Sequence, residues 1–165
     1  MWEHTKKAIK AYQADIINRA RKNLSKKNAS GALSKSLEAT KIKETDNKFS
    51  FGVDGLEYGE YVDKGVSGIK KKYATKYSYK SKMPPPSKLD KWTVRRGIAP
   101  RDAKGRFINR KSLQFLIARS IYNNGLKPSH FMTNALNDSE KVMMPLIQEA
   151  MIKDLENSIE NEYDN

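Results

Sequence analysis

Between Ile9 and Leu24 apolar residues recur every three or four positions, through Tyr12, Ile16 and Ala20. Between Thr40 and Val53 they alternate instead. A stripe with a period near 3.6 residues is buried by a helix, and an alternating one by a strand. This early change of period restricts the chain to a fold that mixes helices with sheet. Trp2 and Ile17 flank the first stripe and Lys and Arg fill the other side, so a helix is predicted over 2–26. "KKNASGALSKSLEA" then interrupts the pattern, and Leu33 and Leu37, four apart, predict a short second helix. Thr40, Ile42 and Glu44 share one face of the first alternating segment, and Phe49, Phe51 and Val53 one face of the second. With "TDN" as the turn between them, these segments read as an antiparallel hairpin. A hairpin is marginal alone, so it must pack on the helices.

After the hairpin the punctuation becomes dense. Tyr58, Tyr61 and Val62 fit one helical turn, and the glycines at 52, 55, 59, 65 and 68 read as turn residues. "IKKKYATKYSYKSKMPPP" (69–86) carries six Lys, three Tyr and a triple Pro, and reads as a strand or loop with a stiff stop. Such a stretch has few ways to bury apolar area, so 69–82 is expected to be poorly ordered in an isolated subunit. Helical spacing returns at Leu89 and Trp92, with Ser87 as the expected N-cap, Gly97 as the stop and Trp92 in the core. "IAPRDAKGRFINRK" reads as loop, with Phe107 and Ile108 anchoring its return. A clearer helix follows, with Leu113, Leu116, Ile117, Ser120 and Ile121 on one stripe that is expected to pack against the first helix. Gly125 ends it. Pro128 blocks continuation, and Phe131 folds back so that the last helix leaves at a fixed angle. In that last helix Val142, Met143, Leu146, Ala150 and Leu155 follow helical spacing, and Pro145 marks a kink or a new first turn.

The 165 residues suit one domain over 1–165, of α+β class. Long N- and C-terminal helices are expected to pack against a small antiparallel sheet, with a long basic loop region at 65–110 and an acidic tail at 154–165. The net charge of +13 is unevenly spread. Residues 64–110 hold 15 basic residues against 2 acids, whereas 111–165 hold 5 against 8. So local an excess points to an anionic partner, either nucleic acid or an acidic protein surface. Lys70, Lys71, Lys72, Lys76, Lys80 and Lys82, with Arg95 and Arg96, are the candidate contacts. Tyr73, Tyr77 and Tyr79 could stack on bases or pack on protein.

Three blocks of this sequence resemble the small tail-completion and head–tail joining proteins of tailed bacteriophages. "SGALSKSLEA" (30–39) is similar to that family's short helix leading into a strand. "YGEYVDKGVSG" (58–68) is similar to its aromatic-x-x-Val-x-x-Gly segment. "IARSIYNNGLKPSHFMTNAL" (117–136) is similar to its helix, Gly-x-x-Pro, Phe and following helix, and carries Gly125, Pro128 and Phe131 as a structural corner. The blocks occur in the family's order. Asp63 and Lys64 stand where the family often has an acidic residue and an aromatic, and 69–110 is long for the corresponding connection. The resemblance implies a non-enzymatic structural protein of the virion, made in the host bacterial cytoplasm. It would form a homo-oligomeric ring or joint at the neck or head-proximal tail end, among other phage neck or tail proteins. Contact of the basic region with channel DNA is an expectation from charge.

Signals for chemistry are sparse. His4 and His130 belong to no metal-binding spacing, and the chain has no Cys, so disulfides and thiolate sites are excluded. A nuclease would need Asp15, Asp54, Glu57, Glu60 or Asp63 to converge on a metal, and each reads more simply as a surface or capping residue. No phosphate-cradling or nucleophile-elbow motif is present, and neither a cofactor nor a membrane segment is expected. The alternatives to the virion reading are a free non-specific nucleic-acid-binding protein and, behind it, a small metal-dependent nuclease.

Overall fold

A computed structural model describes residues 2–25, 30–45 and 48–163. The elements run α1 (Glu3–Leu24), α2 (Ala32–Lys35), β1 (Glu38–Ala39), β2 (Lys43–Thr45), β3 (Lys48–Ser50), β4 (Val53–Asp54), α3 (Gly59–Lys64), a 3-10 turn (Pro86–Leu89), α4 (Asp90–Arg95), α5 (Arg110–Asn124) and α6 (Phe131–Tyr163). The α+β class, with long helices from both ends and a small antiparallel sheet, is as expected. The chain forms two compact units: Met1–Asn28, Ala32–Leu56 and Phe131–Asn165 make the first, and Ala29–Gly31 with Glu57–His130 the second.

The first unit is an antiparallel helix pair with a hairpin. The partner of α1 is α6, not the stripe of α5. Ile9, Ile16, Ala20 and Leu24 of α1 and Phe131, Ala135 and Ile147 of α6 are buried. Ala20 and Ala135 are wholly inaccessible, which suits close approach of the two backbones. Three polar ties run along the pair. Asn23 Nδ2 donates to the Phe131 carbonyl (3.0 Å), Ser139 Oγ to Asp15 (2.6 Å), and the amides of His4 and Thr5 to Asp154 (3.1 and 2.7 Å). The last contact caps α1. Trp2 precedes the helix without a side-chain cap, and a carboxylate 149 positions away from Thr5 takes two of the amides that a helix start leaves unpaired. Asp154, the first residue of the acidic C-terminal stretch, is buried in this contact, and α6 continues to Tyr163.

Burial along α6 follows Phe131, Ala135, Ser139, Ile147 and Asp154. Of the residues whose spacing marked this helix, Met143 and Ala150 are half-buried while Val142, Leu146 and Leu155 are exposed. The buried line passes through Ser139 and Asp154, polar residues that an apolar pattern skips. Pro145 is exposed, and the helix runs through it without a break.

The hairpin pairs Glu38 with Asp54 and Ala39 with Val53, then Lys43 with Ser50 through Thr45 with Lys48. The expected turn at 46–47 lies outside the described residues. Between the two ladders one strand spends three residues (40–42) and the other two (51–52), which is a bulge. Buried Gln13 of α1 fills the gap, donating from Nε2 to the carbonyls of Thr40 (2.9 Å) and Gly52 (2.8 Å). Trp2 and Tyr12 meet Phe49 and Phe51 edge to face, each at 5.8 Å. The alternating aromatic face thus lies on α1, as the period predicts.

Candidate functional site: a basic arm on a backbone crossing

In the second unit, α3 ends at Gly65 and the next residues run against the chain that leaves α5. Val66 and Leu126 exchange both backbone hydrogen bonds (2.9 and 2.8 Å). Ser67 pairs in parallel with Ser78, its amide donating to Tyr77 and its carbonyl accepting from Tyr79. At this crossing two backbones touch. A Cβ on Gly68 would lie 2.5 Å from the Asn123 carbonyl carbon, and one on Gly125 would lie 2.6 Å from the Gly68 nitrogen. Gly68 is therefore not a simple turn residue, as its spacing suggested. It is where backbone must approach backbone.

The corner at 127–131 completes the crossing. The amide of Ser129 donates to the carbonyls of Val62 (3.0 Å) and Asp63 (3.1 Å), and that of His130 to Asp63 (3.0 Å). Both carbonyls belong to the last turn of α3, where a helix leaves its acceptors unpaired. His130 takes a left-handed conformation (φ 52) to make its contact. Within the second unit the corner caps a helix, and in the first Phe131 is 2% exposed and anchors the start of α6. Gly125 at the crossing and Phe131 at the start of α6 are thus both held by close packing.

The expected disorder of 69–82 is not what the structure holds. The amide of Ile69 donates to Tyr122, and those of Lys70 and Lys71 to Asn123 (3.0, 2.8 and 3.2 Å). Ser67 Oγ accepts from the Tyr73 amide (3.0 Å), and the Tyr122 hydroxyl donates to the Lys80 carbonyl (3.1 Å). The segment has few aliphatic side chains, but its first amides, those of 69–71, are satisfied on the C-terminal end of α5. Its tyrosines pack on protein. Tyr77 lies 4.4 Å from Tyr61 between ring centroids, Tyr79 meets Tyr122 edge to face, and Lys71 sits over Tyr73. Burial raises the pKa of Tyr79.

The candidate cations fall into two sets. Lys76 pairs with Glu60 (3.4 Å), which also binds Lys64 (2.8 Å). Lys64, then the Tyr77 hydroxyl and Lys76, hold the Glu60 carboxyl down to about 2. Lys72 donates to the Gly68 carbonyl (2.9 Å). These charges are partly engaged within the fold. Lys70, Lys80, Lys82 and Arg95 are exposed and form no ion pair among the described residues. Arg96 is exposed at the end of α4.

Beyond the lysines, 86–110 is only partly loop. The 3-10 turn and α4 pack on α5, and Asp90 ties them by accepting from Gln114 (2.6 Å) and pairing with Arg110 (3.5 Å). Ser87 lies inside the 3-10 turn and caps nothing, while Trp92 stays 38% exposed rather than in the core. Residues 101–107 form a tight turn on Asp102, which accepts from the amides of Lys104 and Arg106 (both 2.9 Å). Those two hydrogen bonds with the Arg106 guanidinium hold its carboxyl below the usual range. Val94, Ile98, Phe107 and Leu113 line an open groove of about 370 Å³ between α4, this turn and α5. Sequence reasoning missed the groove, although Phe107 and Ile108 pointed to it.

Three of the five acids considered for a metal take part in other contacts. Asp15 binds Ser139 and Arg19, Glu60 binds lysines, and Asp63 lends its carbonyl to the corner. Among the described residues no group of three or more acids or histidines is placed to hold a metal, and no helix is long and apolar enough to cross a membrane. No family model, curated protein or solved structure matches the chain.

Proposed function

We propose that this chain is a structural virion protein of a tailed phage, a subunit of a ring or joint at the neck or head-proximal tail end that completes head–tail attachment. The observation that carries the reading is the backbone crossing. Two of the blocks that resemble tail-completion proteins, 58–68 and 117–136, are far apart in sequence. They meet at Gly68 and Gly125, and the corner of one caps the helix of the other. The residues of these two blocks thus share one structural task, and the long basic stretch of 69–110 emerges from it. Exposed apolar side chains on both units, among them Phe107 (64%) and Ile152 (56%), also suit a subunit whose surfaces are covered by neighbours. The reading needs no catalysis. Assembly would supply the function through contacts that close only in the oligomer.

A stop codon placed in this gene, in the phage that carries it, tests the reading. Full heads and free tails should accumulate unjoined, and purified protein added to the lysate should restore joined particles. Normal particles without the protein would overturn it. The local excess of 15 basic residues over 2 acids also supports the alternative of a free nucleic-acid-binding protein. Joined particles lacking this chain, together with salt-dependent DNA binding by the purified protein, would favour that alternative.

A further inference from the structure

Two exposed surfaces of this chain are complementary. One is the apolar groove of the second unit, where Val94 is 53% and Phe107 64% exposed. It sits within the most basic part of the sequence. Lys91 and Arg95 lie beside Val94 on α4, and Arg101 stacks its guanidinium 3.9 Å from the centre of the Phe107 ring. The other surface is the outer side of the last turns of α6. Ile152, Leu155 and Ile159, spaced three and four apart, are 56%, 46% and 55% exposed. Glu149, Glu156 and Glu160 follow the same helical spacing along one edge of that ridge. Glu149 is paired with Lys153 (2.8 Å), and Glu156 and Glu160 form no ion pair among the described residues.

We infer that the occupant of the groove is a second copy of this chain, presenting the acidic, apolar ridge of α6. Charge selects this pairing from the three possible ones. Ridge against ridge sets acid on acid, and groove against groove sets base on base, so both symmetric contacts are repelled. Ridge against groove buries apolar side chains on both sides and brings carboxylates to cations. A contact between different patches of identical chains runs head to tail, and such contacts propagate until they close a ring or continue as a filament. Only the closure rests on the virion reading above. The contact itself is a property of the purified protein.

The chain has no Cys, so introduced thiols report single contacts. Full-length Val94→Cys and Ile152→Cys variants are mixed under mild oxidation. The expected product is a disulfide-linked dimer in the mixture and little in either variant alone. A dimer of Ile152→Cys alone, or no cross-link at any protein concentration, overturns the inference. A charge swap is the second arm. Lys91→Glu with Arg95→Glu, and separately Glu149→Lys, Glu156→Lys and Glu160→Lys, should each weaken self-association at least about tenfold. Mixing the two reversed variants should restore association between them. All these residues are exposed, so circular dichroism should show both variants folded. Equal association in wild type and both variants overturns the inference. If the swap works but phage lacking the chain still join heads to tails, the contact stands and the neck reading falls. If joining requires the chain but the swap has no effect, the neck reading stands and this contact falls.

Discussion

The two units are held together by different means. Among the described residues, eleven of the twelve buried apolar side chains belong to the first unit, and the second contributes only Ala118. The first unit is a side-chain structure, with its interior set by Ile9, Ile16, Leu24 and Phe131 and its register by Asn23, Asp15 and Asp154. The second is a backbone structure. Its buried positions include Gly65, Ser67 and Gly68, and at the crossing the amides of Val66, Ile69, Lys70 and Leu126 find carbonyls on the opposite segment. This contrast explains how the basic arm holds a defined path with little core of its own. Net stabilisation per hydrogen bond is small, on the order of 1 kcal/mol, but an unmade buried one costs more. A segment rich in Lys and Tyr can therefore be fixed in large part by satisfying its backbone.

Breaking the first unit should have the largest effect. Phe131→Ala removes a side chain that is 2% exposed and should cost about 3–5 kcal/mol in denaturant unfolding. A loss below about 1 kcal/mol would show that the pair of α1 and α6 does not depend on this anchor. Next comes the crossing. Gly68→Ala places a methyl group against the Asn123 carbonyl, and overpacking of this kind costs about 1–3 kcal/mol. The change should loosen amides of 66–71 and leave those of α1 unaffected, as amide exchange would show.

The third prediction sharpens the role of the long-range cap. Asp154→Asn keeps the shape but loses the charge at the start of α1, and should cost about 1–2 kcal/mol at neutral pH. Burial by itself would raise the pKa of Asp154, but the amides of Thr5 and His4 outweigh it and hold the carboxyl below its ordinary value. Asp15 is likewise lowered, with Ser139 and Arg19 outweighing burial. A folded pKa below the unfolded one gives stability that is fully present above the unfolded value of about 3.8–3.9 and lost as pH falls through the folded value. Asp154→Asn should therefore lose little extra stability in acid, where wild type loses this contribution. An unchanged acid limb in the variant would remove the cap from the account. The smallest stability effect belongs to the arm. Replacing Lys70, Lys71, Lys72, Lys76 and Lys80 by Gln should leave the unfolding midpoint nearly unchanged and make the salt dependence of DNA or acidic-protein binding shallower. Unchanged binding to both partners at every salt concentration would leave these lysines as a solubilising surface.

The division between the units also marks what was legible in the sequence. The stripe from Ile9 to Leu24 and the alternation from Phe49 to Val53 announced α1 and the hairpin, because burial there follows apolar side chains. In α6 the same logic lost phase. Ser139 and Asp154 are buried for the sake of partners more than a hundred residues away, and no local pattern contains those partners. In the second unit, Gly65 and Gly68 looked like turns because a glycine that admits another backbone has the same letter as one that turns the chain. Phe131 was legible as an anchor, whereas the capping of α3 by Ser129 and His130 was not, since amides carry no sequence signal. The candidate lysines were legible as charge, but which of them Glu60 engages depends on the fold.

Amide hydrogen exchange on the intact protein, with denaturant raised below the unfolding transition, tests the central contrast most directly. If the first unit is held by its core and the second by its crossing, the amides of Val66, Ile69, Lys70, Tyr79 and Leu126 should exchange through one shared opening. That opening should need less free energy and expose less surface than the opening that releases the interior of α1. Identical exchange free energies and denaturant slopes in both sets would contradict the account, because the two units would then unfold as one.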